Sequence, residues 1–324
     1  MDSKYHYVVF GSEVEYFRFM FKDAVDKIGV EYIGNPIKDG HYNIVMRWIY
    51  SIHNNDRINY IVSLPGKELW YPLYYTKVSD KPICFVFMMG WCNIKYKALL
   101  ELLRKRYLGC KIVLYLEDVI SSRRGRFQFE FVNEFDRVIT YDKDDAERYG
   151  FIYYPTFMSK YDIPVNNSNH VDACFWGVEK DRGTIINEVY DLLTSNNITC
   201  DFFVTRAKNI KLYSKGIRTA KYDKPYTQYL HAVNNSSCIV EIMQKKAVGY
   251  SLRTWEALLY GKVLLTNNRS IIDTPYYNPN QIIVFNHPKD IDVKHLQDAL
   301  RESFVFNSEK ISPVMFFKKL DSLL

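Results

Sequence analysis

Short apolar runs alternate with stretches of helical periodicity over most of the 324 residues. Residues 5–10 predict a strand, Gly11-Ser12 a turn, 14–28 a helix and 30–33 a second strand. Residues 43–52 predict a helix, and 58–64 a strand closed by Pro65-Gly66. Strands are predicted at 82–89, 111–116 and 137–140, an amphipathic helix with a basic rim at 96–107, and a helix opening at Asp142 to Asp145. This alternation implies parallel sheets and a doubly wound first domain. Residues 163–169 contain Pro164 and the polar run Asn166-Asn167-Ser168-Asn169, which suits a linker. The alternation then restarts, with strands at 173–176, 200–204, 238–240, 263–265 and 282–285. Helices are predicted at 185–193, 226–233, 295–303 and 314–324. The expected domains are therefore 1–165 and 166–324.

The stretch 241–268 has the most specific local pattern. Ser251 suits an N-cap, its oxygen accepting from a free first-turn N–H. Leu252, Trp255 and Leu259 recur at helical spacing, Gly261 stands where a helix stops, and 263–265 is a buried strand. Arg253 and Glu256, three apart, share the other face. A helix N-terminus with an arginine in its first turn attracts phosphate, and Glu256 one turn deeper suits two adjacent ribose hydroxyls. The alternative is a surface ion pair. The loop–helix–strand order favours a nucleoside diphosphate. Gly177 and Arg182 follow a predicted strand, where a loop lies at the carboxyl edge of a sheet. Arg182 there either meets the diphosphate or is solvated. Tyr226 and Tyr229, one turn apart, line the pocket or pack in the core.

The run Gly249-Tyr250-Ser251-Leu252-Arg253-Thr254-Trp255-Glu256-Ala257-Leu258, closed by Gly261, resembles the donor-binding element of bacterial GT-B glycosyltransferases. The similarity is to the polysaccharide and lipopolysaccharide transferases, with the CgeB-like group. Residues 141–147 with Tyr149-Gly150 and Tyr154-Pro155, and 171–177 with Arg182, match further motifs over about 110–285. The resemblance implies an α/β GT-B fold, two doubly wound Rossmann-like domains facing across a cleft. The second would bind a nucleotide-sugar through Gly177, Arg182, Tyr226, Gly249, Tyr250, Ser251, Arg253 and Glu256. The C-terminal helix would return to the first. Retaining members often carry two glutamates eight apart; Val248 stands at the first of those places here, so that form of the motif is absent.

Composition narrows the partners. Hydrophobic residues make up 48% and charged residues 25%, which is globular material. A net charge of +6 permits nucleotides or lipid headgroups and is not the dense patch of a nucleic-acid binder, so no nucleic-acid partner is expected. The six cysteines form no C-x-x-C pair and read as reduced, buried thiols. The first residues lack an apolar core of signal-peptide length, and no run approaches a transmembrane span, so a cytoplasmic location is expected. The absence of G-x-G-x-x-G after the first strand argues against a nicotinamide cofactor, and no cofactor is expected.

Catalysis of sugar transfer needs a base for the acceptor hydroxyl, and the candidates in the first domain are Glu13 and Asp118. No metal is expected: Asp142-Lys143-Asp144 spells D-x-D but opens a helix, where acids favour the macrodipole. The segment 96–111 carries Ala98, Leu99, Leu102, Leu103 and Tyr107 beside Lys95, Lys97, Arg104, Lys105, Arg106 and Lys111. It either faces the sheet as an ordinary helix or makes weak, salt-sensitive membrane contact. The reading is a metal-independent glycosyltransferase of surface polysaccharide or lipopolysaccharide synthesis, with a glycan or lipid-linked acceptor. The rivals are a nucleotide-sugar epimerase of the same fold and a non-catalytic basic adaptor for membrane or nucleic acid.

Overall fold

The computed structural model describes residues 3–12, 14–34, 42–55, 57–59, 63–120, 127–163, 170–244 and 249–324. The chain divides into two units, Met1–Ser159 with Glu309–Leu324, and Lys160–Ser308.

In the first unit six parallel strands are β1 (His6–Phe10), β2 (Glu31–Ile33), β3 (Ile83–Met88), β4 (Lys111–Leu116), β5 (Arg137–Thr140) and β6 (Ile152–Tyr153), in the order β2-β1-β3-β4-β5-β6. β3 is buried at every position, which is why it reads as a continuous apolar run instead of an alternating one. The helices α1 (Glu15–Met20), α2 (Lys22–Ile28), α3 (Ile44–His53), α4 (Lys97–Arg106) and α5 (Lys143–Tyr149) connect the strands. The helix expected over 14–28 is two helices meeting at Phe21. That ring is fully buried against Phe157, 5.1 Å between centroids, and its anchoring bends the chain there. Of the strand expected at 58–64, residues 60–62 lie outside the described residues. The short strand β6 was not expected.

α4 corrects the membrane reading of 96–111. Leu99, Leu100 and Leu103 are buried in the core, and Leu102 and Tyr107 pack against it. The stripe is used up by packing, and Arg104 pairs with Asp136 at 3.1 Å. Among the described residues no helix is long and apolar enough to cross a membrane.

The second unit repeats the plan with β7 (Val171–Val178), β8 (Cys200–Thr205), β9 (Arg218–Ala220), β10 (Ser236–Glu241), β11 (Val263–Thr266) and β12 (Ile282–Val284). The order is β12-β11-β10-β7-β8-β9, all parallel. Its helices are α6 (Gly183–Ser195), α7 (Tyr226–Asn234), α8 (Leu252–Leu259) and α9 (Val293–Ala299). The order reverses between β7 and β10, and crevices that bind ligands form at such switch points. The last helix, α10 (Pro313–Leu323), belongs to the first unit. There the Tyr7 hydroxyl donates to Asp321 Oδ1 at 2.8 Å, and Phe316 stacks on Phe157 at 4.6 Å. All six cysteines are free thiols.

α8 ends as its sequence predicts. Lys262 N–H donates to Ala257 O at 2.8 Å and Gly261 N–H to Leu258 O at 3.2 Å, the two bonds of a Schellman motif. Gly261 has φ 63°, and a Cβ there would lie 2.3 Å from Phe304 O. Gly261→Ala is therefore expected to destabilise the second unit by more than about 1 kcal/mol. The checking measurement is the denaturant midpoint of the full chain, which should fall.

Candidate functional site

The site grows from the carboxyl ends of β7 and β10, which are neighbours in the sheet. Gly177 lies near the end of β7, and Arg182 stands just before α6. Arg182 is 8% exposed. Its Nη2 donates to Val178 O at 2.9 Å, and its Nη1 crosses the switch point to Ile242 O, one residue past β10. Arg253, in the first turn of α8, donates through Nη2 to Trp176 O on β7. Both guanidiniums lie over the buried ring of Phe175, at 5.5 and 5.4 Å from its centroid. Gly177 leaves them room: a Cβ there would lie 2.6 Å from Arg253 Nη2 and 3.4 Å from Arg182 Nη2.

Two cations side by side repel, and burial adds to the cost. Burial first, then the neighbouring Arg253, pulls Arg182 down to about 10, which still leaves it protonated at neutral pH. Among the described residues the hydrogen-bond partners of both are carbonyls, and no carboxylate forms an ion pair with either. Arg253 Nε is buried and, among the described residues, has no hydrogen-bond partner. Buried charges ordinarily need a counter-charge, so this arrangement suits an anion.

A cavity of about 290 Å³ lies against these arginines. Its walls include Lys180, Arg182, Glu241, Ser251 and Arg253, with Ile242, Met243 and Gln244. The loop entering α8 is clamped. Gly249, at φ 87°, gives its carbonyl to Asn268 Nδ2 at 2.9 Å, and the Tyr250 hydroxyl donates to Ser270 O at 3.2 Å. Ser251 caps the helix, accepting from Arg253 N–H at 3.1 Å.

Glu241 was not singled out from the sequence, yet it organises the site. It is 1% exposed at the end of β10. Its Oε1 accepts from Ser251 Oγ and from Thr254 Oγ1 at 3.0 Å, and its Oε2 from Thr266 Oγ1 at 2.5 Å. One carboxylate thereby ties β10, the start of α8 and the end of β11. The three hydroxyls lie 10, 13 and 25 positions away. The only sequence signal is an acidic residue closing an apolar strand.

Glu256 is placed differently from its expected role. It is fully buried, and its oxygens accept from the Tyr226 hydroxyl at 2.6 Å and from the Tyr229 hydroxyl. Burial raises its pKa against the lowering by both phenols and Arg253. The carboxylate thus holds α7 to α8 behind the arginines, and a ribose would have to displace a phenol to reach it. Tyr226 and Tyr229 accordingly form the back of the site, Tyr229 with Arg253 5.8 Å above its ring.

In the first unit, Asp118 is exposed and accepts from Val119 N–H at 2.9 Å. Glu13 lies outside the described residues. The adjacent Glu117, missed in the sequence, sits just past β4 at the carboxyl edge, where its Oε2 accepts from Met89 N–H at 2.7 Å. Burial pushes it up to about 7, with Asp118 adding to the rise. Asp142 caps α5, accepting from Asp145 N–H at 2.8 Å. Among the described residues no group of three or more His, Cys, Asp or Glu is placed to hold a metal ion.

No protein-family model matches the chain, and no curated protein matches it. Solved structures share its fold. An α-glucosyltransferase in complex with UDP and a 13-mer DNA containing a HMU base superposes with TM-score 0.53 at 12% identity, over 99% of each chain. An α-glucosyltransferase with UDP-glucose and DNA containing an abasic site gives 0.52 at 13% identity, over 98% of this chain and 93% of that one. Two six-stranded parallel sheets flanked by helices match the GT-B glycosyltransferase fold of these neighbours.

Gly177→Ala tests the arginine pair without touching either arginine. The added methyl should displace the guanidiniums and weaken binding of pyrophosphate by about tenfold to a hundredfold, the loss of one charge-assisted contact. Isothermal titration against the unmodified chain measures it.

Proposed function

We propose that the chain is a glycosyltransferase whose second unit binds a nucleotide-sugar through its diphosphate. The observation that carries this reading is the pair of guanidiniums, buried Arg182 and half-buried Arg253, beside a cavity and, among the described residues, without an ion-paired carboxylate. The diphosphate supplies the missing negative charge, with Ser251 and the N-terminus of α8 beside it. Gly249 and Tyr250 shape the loop. Glu256 and Tyr226 hold the helices that present Arg253.

The first unit takes the acceptor and supplies the base. Glu117 fits that role better than Asp118, because burial keeps its pKa near the operating pH. The acceptor oxygen forms a bond to the sugar's anomeric carbon as the bond from that carbon to the diphosphate breaks. The electron pair leaves with the nucleoside diphosphate, and the acceptor proton goes to Glu117. The arginines and the helix dipole neutralise the leaving group, so no divalent ion is required.

The acceptor is a glycan or lipid-linked sugar of a bacterial surface polysaccharide or lipopolysaccharide. This rests on the motif resemblance in residues 110–285. The DNA in the two fold neighbours supports a second acceptor class, a nucleic acid, against the sequence expectation of no nucleic-acid partner.

UDP is expected to raise the melting temperature through mass action, and Arg253→Ala to abolish the rise while leaving the ligand-free melting temperature close to that of the parent. An unchanged shift in the variant removes the site assignment. Transfer is expected to survive EDTA; loss restored by magnesium or manganese returns attention to Asp142 and Asp144.

The base assignment carries a pH signature. Glu117 works as a carboxylate, so the rate should climb as pH rises through about 7 and level off above it. Glu117→Gln should cut turnover by about 10² to 10⁴ and erase that inflection, with the UDP melting shift intact. Incubating the donor alone and following it by NMR separates transfer from epimerisation.

A further inference from the structure

α3 is built inside out. Met46, Tyr50 and His53 turn toward the body of the first unit, while Ile44, Val45, Trp48, Ile49 and Ile52 are 49% to 76% exposed. These five fall at i, i+1, i+4, i+5 and i+8, so they form one continuous ridge on the helix. Asn43 caps the helix at one end, accepting from Met46 N–H at 2.9 Å. Ile58 and Leu69, 50% and 75% exposed, extend the apolar surface beyond the other end. Leaving one such side chain in water is ordinary; a contiguous ridge of five marks a surface that something covers.

The surroundings indicate what covers it. Lys67 Nζ donates to His53 O at 2.5 Å and Lys95 Nζ to Asn54 O at 3.0 Å, so two ammonium groups sit at the carboxyl end of α3. Burial, then Lys95, pulls Lys67 down to about 8. Arg47 and Arg57 flank the ridge. α4 packs against residues 67–69 and carries Lys97, Arg104, Lys105 and Arg106; Lys97 and Arg104 pair with Glu134 and Asp136, while Lys105 and Arg106 stand against Glu101, with Glu68 the other acid near by. The local charge is positive. A tryptophan among long aliphatics, rimmed by basic groups, is the signature of a helix lying in a bilayer interface. At ten residues, about 15 Å, it is long enough to lie in the plane and too short to cross.

We propose that α3 docks the protein on an anionic lipid surface, with the exposed Arg47 and Arg57 and the basic residues of α4, Lys105 and Arg106 above all, supplying the attraction. The charge expected at 96–111 is present, but the apolar ridge that enters the lipid is α3. This inference does not rest on the donor reading.

The test is sedimentation of the full chain with vesicles of phosphatidylcholine and phosphatidylglycerol, against phosphatidylcholine alone. The expected result is co-sedimentation with the anionic vesicles, weakened by salt. Combining Trp48→Gln with Ile49→Gln should lower the bound fraction's partition coefficient by roughly tenfold or more, with an unchanged melting temperature. The pair Ile44→Gln and Ile52→Gln should act alike and stands in if the first variant melts early. Failure of the parent to sediment, or equal sedimentation of both well-folded variants, overturns the proposal. So does a concentration-dependent dimer, seen by light scattering without lipid, that the substitutions dissolve: that result gives the face to a second copy of the chain.

Discussion

The second unit's site depends on one carboxylate. Glu241 closes β10 and holds three hydroxyls, those of Ser251, Thr254 and Thr266. None of these bonds is strong alone, each net worth about 1 kcal/mol, or somewhat more to a charged acceptor. Their value is positional. They fix the N-terminus of α8 against the sheet at the switch point, and with it the backbone that carries Arg253. Replacing the carboxylate with an apolar group would leave three buried hydroxyls to find new partners.

A second layer of the same logic lies behind the arginines. Glu256 takes the phenols of Tyr226 and Tyr229, joining α7 to α8 as Glu241 joins β10, α8 and β11. Both carboxylates are spent on structure, and among the described residues neither arginine in front forms an ion pair with an acid. The cavity wall thus carries three cations, Lys180, Arg182 and Arg253, against one carboxylate, Glu241, whose oxygens are already taken by hydroxyls. Such an asymmetry gives an incoming anion an interaction that the protein does not satisfy internally.

Most of the secondary structure was legible because parallel strands buried on both faces announce themselves as apolar runs. The α8 element was legible to the residue, from the Ser251 cap to the Gly261 stop, since capping is a local matter of a few positions. Glu256 was misplaced for the opposite reason. Its spacing from Arg253 says which face of the helix it occupies, but not that two phenols 27 and 30 positions earlier close over it. Glu241 escaped because its role comes from burial at a strand end, which no local pattern encodes. The helix expected at 43–52 is present as α3, but periodicity is silent about whether an apolar stripe faces protein or solvent.

The first unit is assembled from both ends of the sequence. α10 supplies Phe316 and Phe317 to a core whose other members precede residue 160. On the ribosome, that core waits for its last helix while the whole of the second unit, a continuous segment, is translated. At ordinary elongation rates the delay is on the order of ten seconds. The order of maturation is then reversed relative to the order of synthesis. The second unit can close as soon as it has emerged, and the first, although made earlier, is completed last. In the interval its sheet exposes the apolar surface that Phe316, Phe317 and Leu320 later cover, which is the period when a chaperone would have most to hold.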